Sequence, residues 1–153
     1  MKWFFALNEL CPPFSHYGDM VTVAVHTAFK HTSLAPHFLH DGRDNALTDW
    51  LQKREVPISP CRTPLFDRLR DLSQRKQHPQ IMTIGAGAFL RVELPRIAVE
   101  MGMDDAYVFY TDCDVMFMEE MTEDLNKIAC RYFAVAPEFD PKDYQHINTG
   151  VML

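Results

Sequence analysis

The sequence predicts an α/β protein, a three-layer sandwich with helices on both sides of a mainly parallel β-sheet. Short apolar runs rich in aromatic and β-branched residues alternate with segments of helical apolar spacing. The length of 153 residues suits one domain, and 47% hydrophobic with 24% charged residues is typical of globular proteins. Residues 1–153 are therefore expected to form a single domain.

Three strand–helix units are predicted in the first half of the chain. The expected strands are Trp3–Leu7, Ala35–Leu39 and Val56–Ile58. The expected helices are Met20–Lys30, a helix carrying Leu47, Trp50 and Leu51, and Leu65–Arg75. Asp19 and Asp44 are placed to cap the first two helices, since a short acidic side chain accepts from free backbone N–H groups. Residues 8–17 are expected to form a loop.

The alternation continues after a polar segment at 74–80, which is expected to be a surface loop. A helix is predicted from Ala86 to Met101, with a kink at Pro95 because proline removes one backbone donor. The remaining expected elements are strand Val108–Thr111, helix Glu119–Ala129, strand Tyr132–Ala136 and a strand beginning at Asn148.

The charge and cysteine patterns exclude several classes of protein. The net charge is -6 and no basic block is present, which disfavours a nucleic-acid partner. No apolar stretch reaches the length of a membrane span, so no integral membrane segment is expected. The four cysteines are widely spaced without a CxxC pair, which predicts reduced thiols and a cytoplasmic location rather than a disulfide framework.

Two acids one residue apart, Asp112 and Asp114, follow the apolar strand that ends at Thr111. Residues i and i+2 of an extended segment share one face, so both carboxylates can reach one hard divalent cation such as Mg²⁺ or Mn²⁺. Cys113 between them should point into the core. The alternative is a turn pair that only caps the strand.

These residues resemble a known family. FYTDCDV, from Phe109 to Val115, resembles the DxD motif of nucleotide-sugar glycosyltransferases with the GT-A fold. NTGVML, from Asn148 to Leu153, resembles the strand that follows this motif in glycosyltransferase family 8 and its relatives. Residues 87–95 resemble the helix before the DxD strand. The resemblance implies a GT-A, Rossmann-like sandwich that is incomplete, and an N-terminal fragment of a longer enzyme.

The resemblance also implies roles for the DxD residues. Asp112 would contact the metal and the donor ribose, and Asp114 would ligate Mn²⁺ or Mg²⁺, which bridges the diphosphate as a Lewis acid. Cys113 is counted with them among the donor-binding residues. Members of the family use a later histidine as a further ligand, and His146 does not match its position.

Two residues outside the DxD motif are implied to bind the donor or acceptor. Arg91 would contact the donor sugar or phosphate, since a planar guanidinium suits oxyanions. The alternative is a solvated arginine or one paired with Glu93, Asp104 or Asp105. Asn148 would bind the sugar or acceptor through its amide. The alternative is a β-bulge or turn residue beside Gly150.

The end of the first strand is where the family holds the nucleobase. Ala6, Leu7 and Asn8 lie there, and Asn8 replaces the acid usual in the family, which leaves the identity of the base open. Tyr17 could stack on the base, or could be a half-buried loop aromatic.

The implied activity is transfer of a hexose from a nucleoside diphosphate sugar, most simply a UDP-sugar, to an unidentified hydroxyl acceptor, with retention of configuration. The sequence assigns no nucleophile or base. A chain of this kind could also be an inactive nucleotide-binding remnant.

Two other enzyme classes share parts of this sequence pattern. DCDV, from Asp112 to Val115, fits the nucleophile motif of haloacid dehalogenase-type phosphatases, yet that chemistry needs a later lysine and acidic pair. A dinucleotide site would need a strand at Ile81–Ile84 before Gly85-Ala-Gly87, and Leu90 occupies the third glycine position of that motif.

Overall fold

The computed structural model of the protein describes residues 1–103, 107–137 and 147–153. Within these residues six strands form one sheet in the order β3-β2-β1-β4-β6-β5. The strands are β1 Lys2–Asn8, β2 Ala35–Asp41, β3 Ile58–Pro60, β4 Phe109–Thr111, β5 Val135–Pro137 and β6 Ile147–Met152. Strands β1 to β4 pair in parallel, whereas β6 is antiparallel to both β4 and β5. The predicted α/β class with a mainly parallel sheet is confirmed, and this open sheet is compatible with a Rossmann-like fold.

Helices pack on both faces of the sheet. They are α1 Phe14–His31, α2 Ala46–Gln52, α3 Phe66–Lys76, α4 Gln80–Thr83, α5 Gly85–Ala88, α6 Leu94–Glu100 and α7 Thr122–Asn126, with a 3₁₀ segment at Phe89–Glu93. Among the described helices, none combines the length and apolar character needed to cross a membrane.

The central strand β1 supplies both halves of the core, because successive side chains point to opposite faces. Trp3, Phe5 and Leu7 pack with α1 in one cluster, and Phe4 and Ala6 pack in a second. The buried indole of Trp3 donates its N–H to Thr111 Oγ1 on β4 at 2.9 Å, so no polar group is stranded there. These contacts hold the carboxyl ends of β1 and β4 side by side.

Both predicted helix caps were wrong. Helix α1 begins at Phe14, directly after Pro13, and Asp19 lies inside it. The apolar spacing extends earlier through Phe14 and Tyr17, which pack against the core, so the helix continues back to the proline. Tyr17 is therefore a helical residue and not part of a loop.

Helix α2 is capped by Asn45, one residue after the predicted Asp44. The Asn45 side chain accepts from the backbone N–H groups of Leu47 at 2.9 Å and Thr48 at 3.2 Å. Thr48 Oγ1 accepts in return from the Asn45 N–H at 2.8 Å, which completes a capping box.

The single helix predicted from Ala86 to Met101 is broken into α5, the 3₁₀ segment and α6. Pro95 does not kink a long helix; it lies in the first turn of α6, where its missing N–H leaves no bond unmade. Residues 80–83 are helical, so part of the predicted 74–80 loop is helical too, and no strand precedes Gly85. That finding contradicts the dinucleotide-binding alternative.

The remaining elements are present with shifted or shorter bounds. Strand β3 lies two residues later than predicted, and α3 and β4 agree closely with the prediction. Helix α7 covers only five residues of the eleven expected for Glu119–Ala129. Strand β5 begins three residues later than the predicted Tyr132.

The strand order reverses beside β1. The chain builds β2 and β3 on one side of β1 and then returns to place β4 on the other side. At such a switch point the loops leaving the two central strands diverge, which opens a crevice at their carboxyl ends.

Candidate functional site

A cavity of about 230 Å³ lies at this switch point, at the carboxyl ends of β1 and β4. Its walls come from the ends of both strands, from α1 and from the segment around α5. The lining residues are Ala6, Leu7, Cys11, Tyr17, Ile84, Gly87, Ala88, Tyr110, Asp112, Cys113 and Asp114. Six of the nine predicted site residues are therefore in one place.

The predicted acids enter this cavity together. Asp112 is half-buried and Asp114 is exposed, and the chain bends between them directly after β4. Cys113 is buried in the core cluster that α1 covers, as the alternation predicted. Burial raises the pKa of the Cys113 thiol to about 12, so this cysteine is neutral near pH 7 and is not an activated nucleophile.

The Asp112 carboxylate has few partners in the described structure. The Tyr110 hydroxyl donates to Asp112 Oδ1 at 3.5 Å, which is long for such a bond. Burial raises the pKa of Asp112, and the nearby charge of Asp114 adds to the rise, while Arg91 and the Tyr110 hydroxyl act in the opposite direction. A buried carboxylate beside a second carboxylate is an arrangement that a cation would stabilise.

Strand β6 supplies the surface against which Asp112 packs. The Asp112 N–H donates to the Gly150 carbonyl at 2.7 Å. A Cβ added to Gly150 would lie 2.6 Å from Asp112 Oδ2 and 3.0 Å from Asn148 Oδ1. Only glycine allows this approach, so Gly150 belongs to the site. It was not predicted from the sequence, although a glycine inside a strand often marks a place where another group approaches the backbone closely.

Tyr17 faces the acids from α1. It is half-buried and lines the cavity together with Cys11. Ala6 and Leu7, at the end of β1, complete this side of the cavity with apolar surface. An aromatic ring above apolar strand residues is suited to a flat, weakly polar group.

Asn8 lies behind the cavity wall. Its side chain is fully buried, and its Nδ2 donates to the Thr83 carbonyl at 3.1 Å. A Cβ on Gly87 would lie 3.3 Å from that nitrogen, so α5 packs directly on Asn8. Asn8 Oδ1 has no hydrogen-bond partner among the described residues. The residue joins β1 to the α4–α5 segment and does not line the cavity.

Arg91 and Asn148 do not line the cavity either. Arg91 donates through Nη1 to the Thr149 carbonyl, and its guanidinium lies 5.7 Å from the Tyr110 ring centroid, in a different hollow that both residues line. Asn148 Oδ1 accepts from the Gly150 N–H at 2.8 Å, the local turn contact that was its alternative interpretation. Asp104, Asp105 and His146 lie outside the described residues.

Sequence reasoning missed several lining residues. Cys11 and Tyr110 lie next to predicted features, whereas Ile84, Gly87 and Ala88 reach the cavity because α5 packs against the end of β1. Their signal was the run Gly85-Ala-Gly-Ala88, whose small side chains permit close approach to the end of β1.

The chemistry of the lining favours a cation. Asp112 and Asp114 are the acids, and none of the described lining residues is Lys or Arg. In residues 1–103, 107–137 and 147–153 there is no group of three His, Cys, Asp or Glu side chains that could hold a metal by themselves. The two carboxylates nevertheless fit a hard divalent ion that takes its other ligands from water or a bound phosphate.

Neither a comparison with protein-family models nor one with curated proteins finds a match for this chain.

Proposed function

We propose that this chain is a metal-dependent glycosyltransferase of the GT-A type. It would pass a hexose from a nucleoside diphosphate sugar, most simply a UDP-sugar, to a hydroxyl acceptor. One observation carries the proposal: Asp112 and Asp114 line one cavity at the switch point of the sheet, and none of the described residues that line it is Lys or Arg. The family resemblance of the segments around these acids and around Asn148 supports it.

The charges explain why a metal is required. A nucleoside diphosphate is anionic, and two carboxylates in a partly apolar cavity would repel it. Asp112 and Asp114 would hold Mn²⁺ or Mg²⁺, which when bound would offset the charge of the diphosphate and supply a Lewis acid at the leaving group. The Tyr110 hydroxyl lies 3.5 Å from Asp112 Oδ1, and the absence of a side chain at Gly150 leaves room for Asp112 Oδ2.

The other walls are suited to the nucleoside. The Tyr17 ring can stack on a planar base, and Ala6 and Leu7 provide apolar contact below it. Arg91 acts indirectly, because its bond to the Thr149 carbonyl secures the strand that carries Gly150 beneath Asp112.

Calorimetric titration with UDP tests the proposal. Wild-type protein should bind UDP in the presence of Mn²⁺ and lose that binding when EDTA is added. Asp114→Asn should weaken binding by roughly tenfold or more, since it removes a metal ligand but little volume. Asp71→Asn is the matched control, because Asp71 is an exposed aspartate on α3 remote from the cavity. Equal affinities in all three proteins would refute metal binding by Asp114.

Product release then separates the enzyme from its alternatives. Release of UDP from a UDP-hexose that depends on Mn²⁺ is expected of a transferase, since water can replace the acceptor. Metal-dependent UDP binding without turnover would identify an inactive remnant. Release of phosphate from simple monoesters, with no UDP binding, would identify a phosphatase.

A further inference from the structure

A second hollow adjoins the cavity and shares Asp114 with it. It encloses about 270 Å³ between α1 and residues 114–116. The lining residues are His16, Asp19, Met20, Val23, Asp114, Val115 and Met116. Because Asp114 lines both hollows, a group held in one lies next to a group held in the other.

The walls of this second hollow are apolar although they face solvent. Val23 is 47% exposed and Met116 is 59% exposed, and Met20 and Val115 are partly exposed beside them. Contiguous exposed apolar surface next to a polar site marks a place where a ligand or partner is bound. Methionine side chains adapt their shape to different apolar ligands.

Val23 extends this surface along α1. It also lines a hollow of about 320 Å³ with Thr22, His26 and Trp50. One face of the Trp50 indole is covered by the Arg54 guanidinium, 3.8 Å from the ring centroid. We call the continuous surface formed by Met20, Val23, Trp50 and Met116 the α1 groove.

The charges around the α1 groove limit its ligand. Asp19 and Asp114 are the acids that line it, and His16 and His26 are the other titratable groups. None of the described residues that line the hollow beside Asp114 is Lys or Arg, and the Arg54 guanidinium on the Trp50 ring already donates to the Trp50 carbonyl. An anionic group next to Asp114 would be repelled. The Thr22 hydroxyl already donates to the Asp19 carbonyl at 2.7 Å, so the groove offers few free donors to a sugar chain.

We propose that the α1 groove binds the apolar body of the acceptor, a neutral alcohol with an aliphatic or aromatic tail whose hydroxyl reaches the donor beside Asp114. This inference rests on the proposed transferase function and adds the class of its acceptor. An aliphatic lining favours an alkyl or aryl group over an oligosaccharide, which would leave its hydroxyls unpaired against methyl groups.

Tryptophan fluorescence offers a direct test with n-octyl β-glucoside, used below its micelle concentration. The chain has two tryptophans: Trp3 is fully buried in the core, so a change in emission reports on Trp50. Octyl glucoside should change the emission and saturate, whereas methyl glucoside should not. Val23→Asp and Met116→Asp should each weaken octyl glucoside binding by roughly tenfold or more, because each sets a carboxylate against the alkyl chain.

Val99→Asp is the matched control, because Val99 is an 80% exposed valine on α6 outside the groove. It should bind octyl glucoside as the wild type does. UDP titration with Mn²⁺ on the same proteins keeps the two proposals apart, since all three variants should bind UDP normally. If the wild type does not bind UDP in the presence of Mn²⁺, both the transferase function and the acceptor assignment are refuted, whether or not octyl glucoside changes the fluorescence. Normal UDP binding with equal octyl glucoside affinity in every variant, or a stronger response to maltotetraose, would refute the groove alone.

Discussion

Two acids occupy equivalent places on either side of β1 and have opposite surroundings. Asp41 ends β2, and the Arg62 guanidinium donates to its carboxylate three times, at 3.1, 3.2 and 3.2 Å. Asp112 follows β4, and among the described residues its carboxylate accepts only the long bond from the Tyr110 hydroxyl. The Arg91 guanidinium donates instead to a backbone carbonyl of β6.

The difference separates a structural carboxylate from a functional one. A partly buried carboxylate is costly unless a cation or strong donors meet it. The Arg62 guanidinium supplies the cation for Asp41, so the burial of the Asp41 carboxylate is explained by a contact within the fold. Asp112 has no ion pair among the described residues, and burial raises its pKa. The charge of Arg91 lowers the pKa only in part, and the charge of Asp114 raises it further.

The largest effect is expected from Gly150→Ala. The new methyl group would lie 2.6 Å from Asp112 Oδ2, so the carboxylate must rotate away from its place beside Asp114. Affinity for Mn²⁺ with UDP should fall by about 10- to 100-fold, as it does when groups that orient metal ligands are changed. Calorimetry measures the loss. Unchanged affinity would show that the position of Asp112 does not matter for metal binding.

Opposite changes in stability are expected when each acid is made neutral. Asp41→Asn should lower the free energy of unfolding by about 1 kcal/mol, a modest loss because Arg62 is largely exposed and its charge is screened. Asp112→Asn should raise the free energy of unfolding by about 0.5–1 kcal/mol without metal, as is found where function opposes stability. Urea unfolding at pH 8 measures both, and a loss of stability in both variants would contradict the contrast.

The gain from Asp112→Asn should depend on pH. The pKa of Asp112 is higher in the folded state than in the unfolded state. At pH values between these two pKa values the folded protein binds more protons than the unfolded chain, so its free energy of unfolding falls as the pH rises. Above both values the full cost of the charge is present. The advantage of Asp112→Asn should therefore shrink as pH falls through this window, and a constant advantage would mean that burial of charge is not its cause.

A smaller effect is expected at Glu120, an exposed carboxylate that is satisfied by N–H groups. The Thr122 side chain and backbone N–H, and then Ser33, lower its pKa from 4.5 to about 2. The carboxylate accepts from the backbone N–H groups of Thr122 at 2.8 Å and Ser33 at 2.6 Å. Its contribution to stability is present above pH 4.5 and is lost as pH falls towards 2. Glu120→Gln should flatten the decline of stability across that range in acid unfolding curves, whereas a parallel decline would assign it to other carboxylates.

The acids could be predicted from sequence because they depend on a local rule. A buried strand that ends at Thr111 with alternating side chains sends Asp112 and Asp114 away from Cys113, whatever the rest of the chain does. The order of strands and helices followed from the same periodicities. The two acids therefore line the predicted cleft, and the strands follow the predicted order along the chain, whereas several helix bounds differ.

The rest of the site depends on contacts between distant segments. Gly150 lies beneath Asp112 only because β6 pairs antiparallel with β4, and the bond of Arg91 to Thr149 joins residues 58 positions apart. No periodicity predicts either contact. The break of the helix after Ala88 was missed because its apolar spacing continues through Leu90 and Ile97, although two glycines and Pro95 disfavour the interior of one long helix.

The binding of a divalent cation by Asp112 and Asp114 is tested most directly by the effect of Mn²⁺ with UDP on urea unfolding of three proteins. At about 100 times the dissociation constant, a ligand of the folded state adds about 2.7 kcal/mol to the free energy of unfolding. Wild type and Asp41→Asn should gain this stability, and Asp112→Asn should gain little or none. An equal gain in all three proteins would contradict the assignment of the cation to this pair of acids.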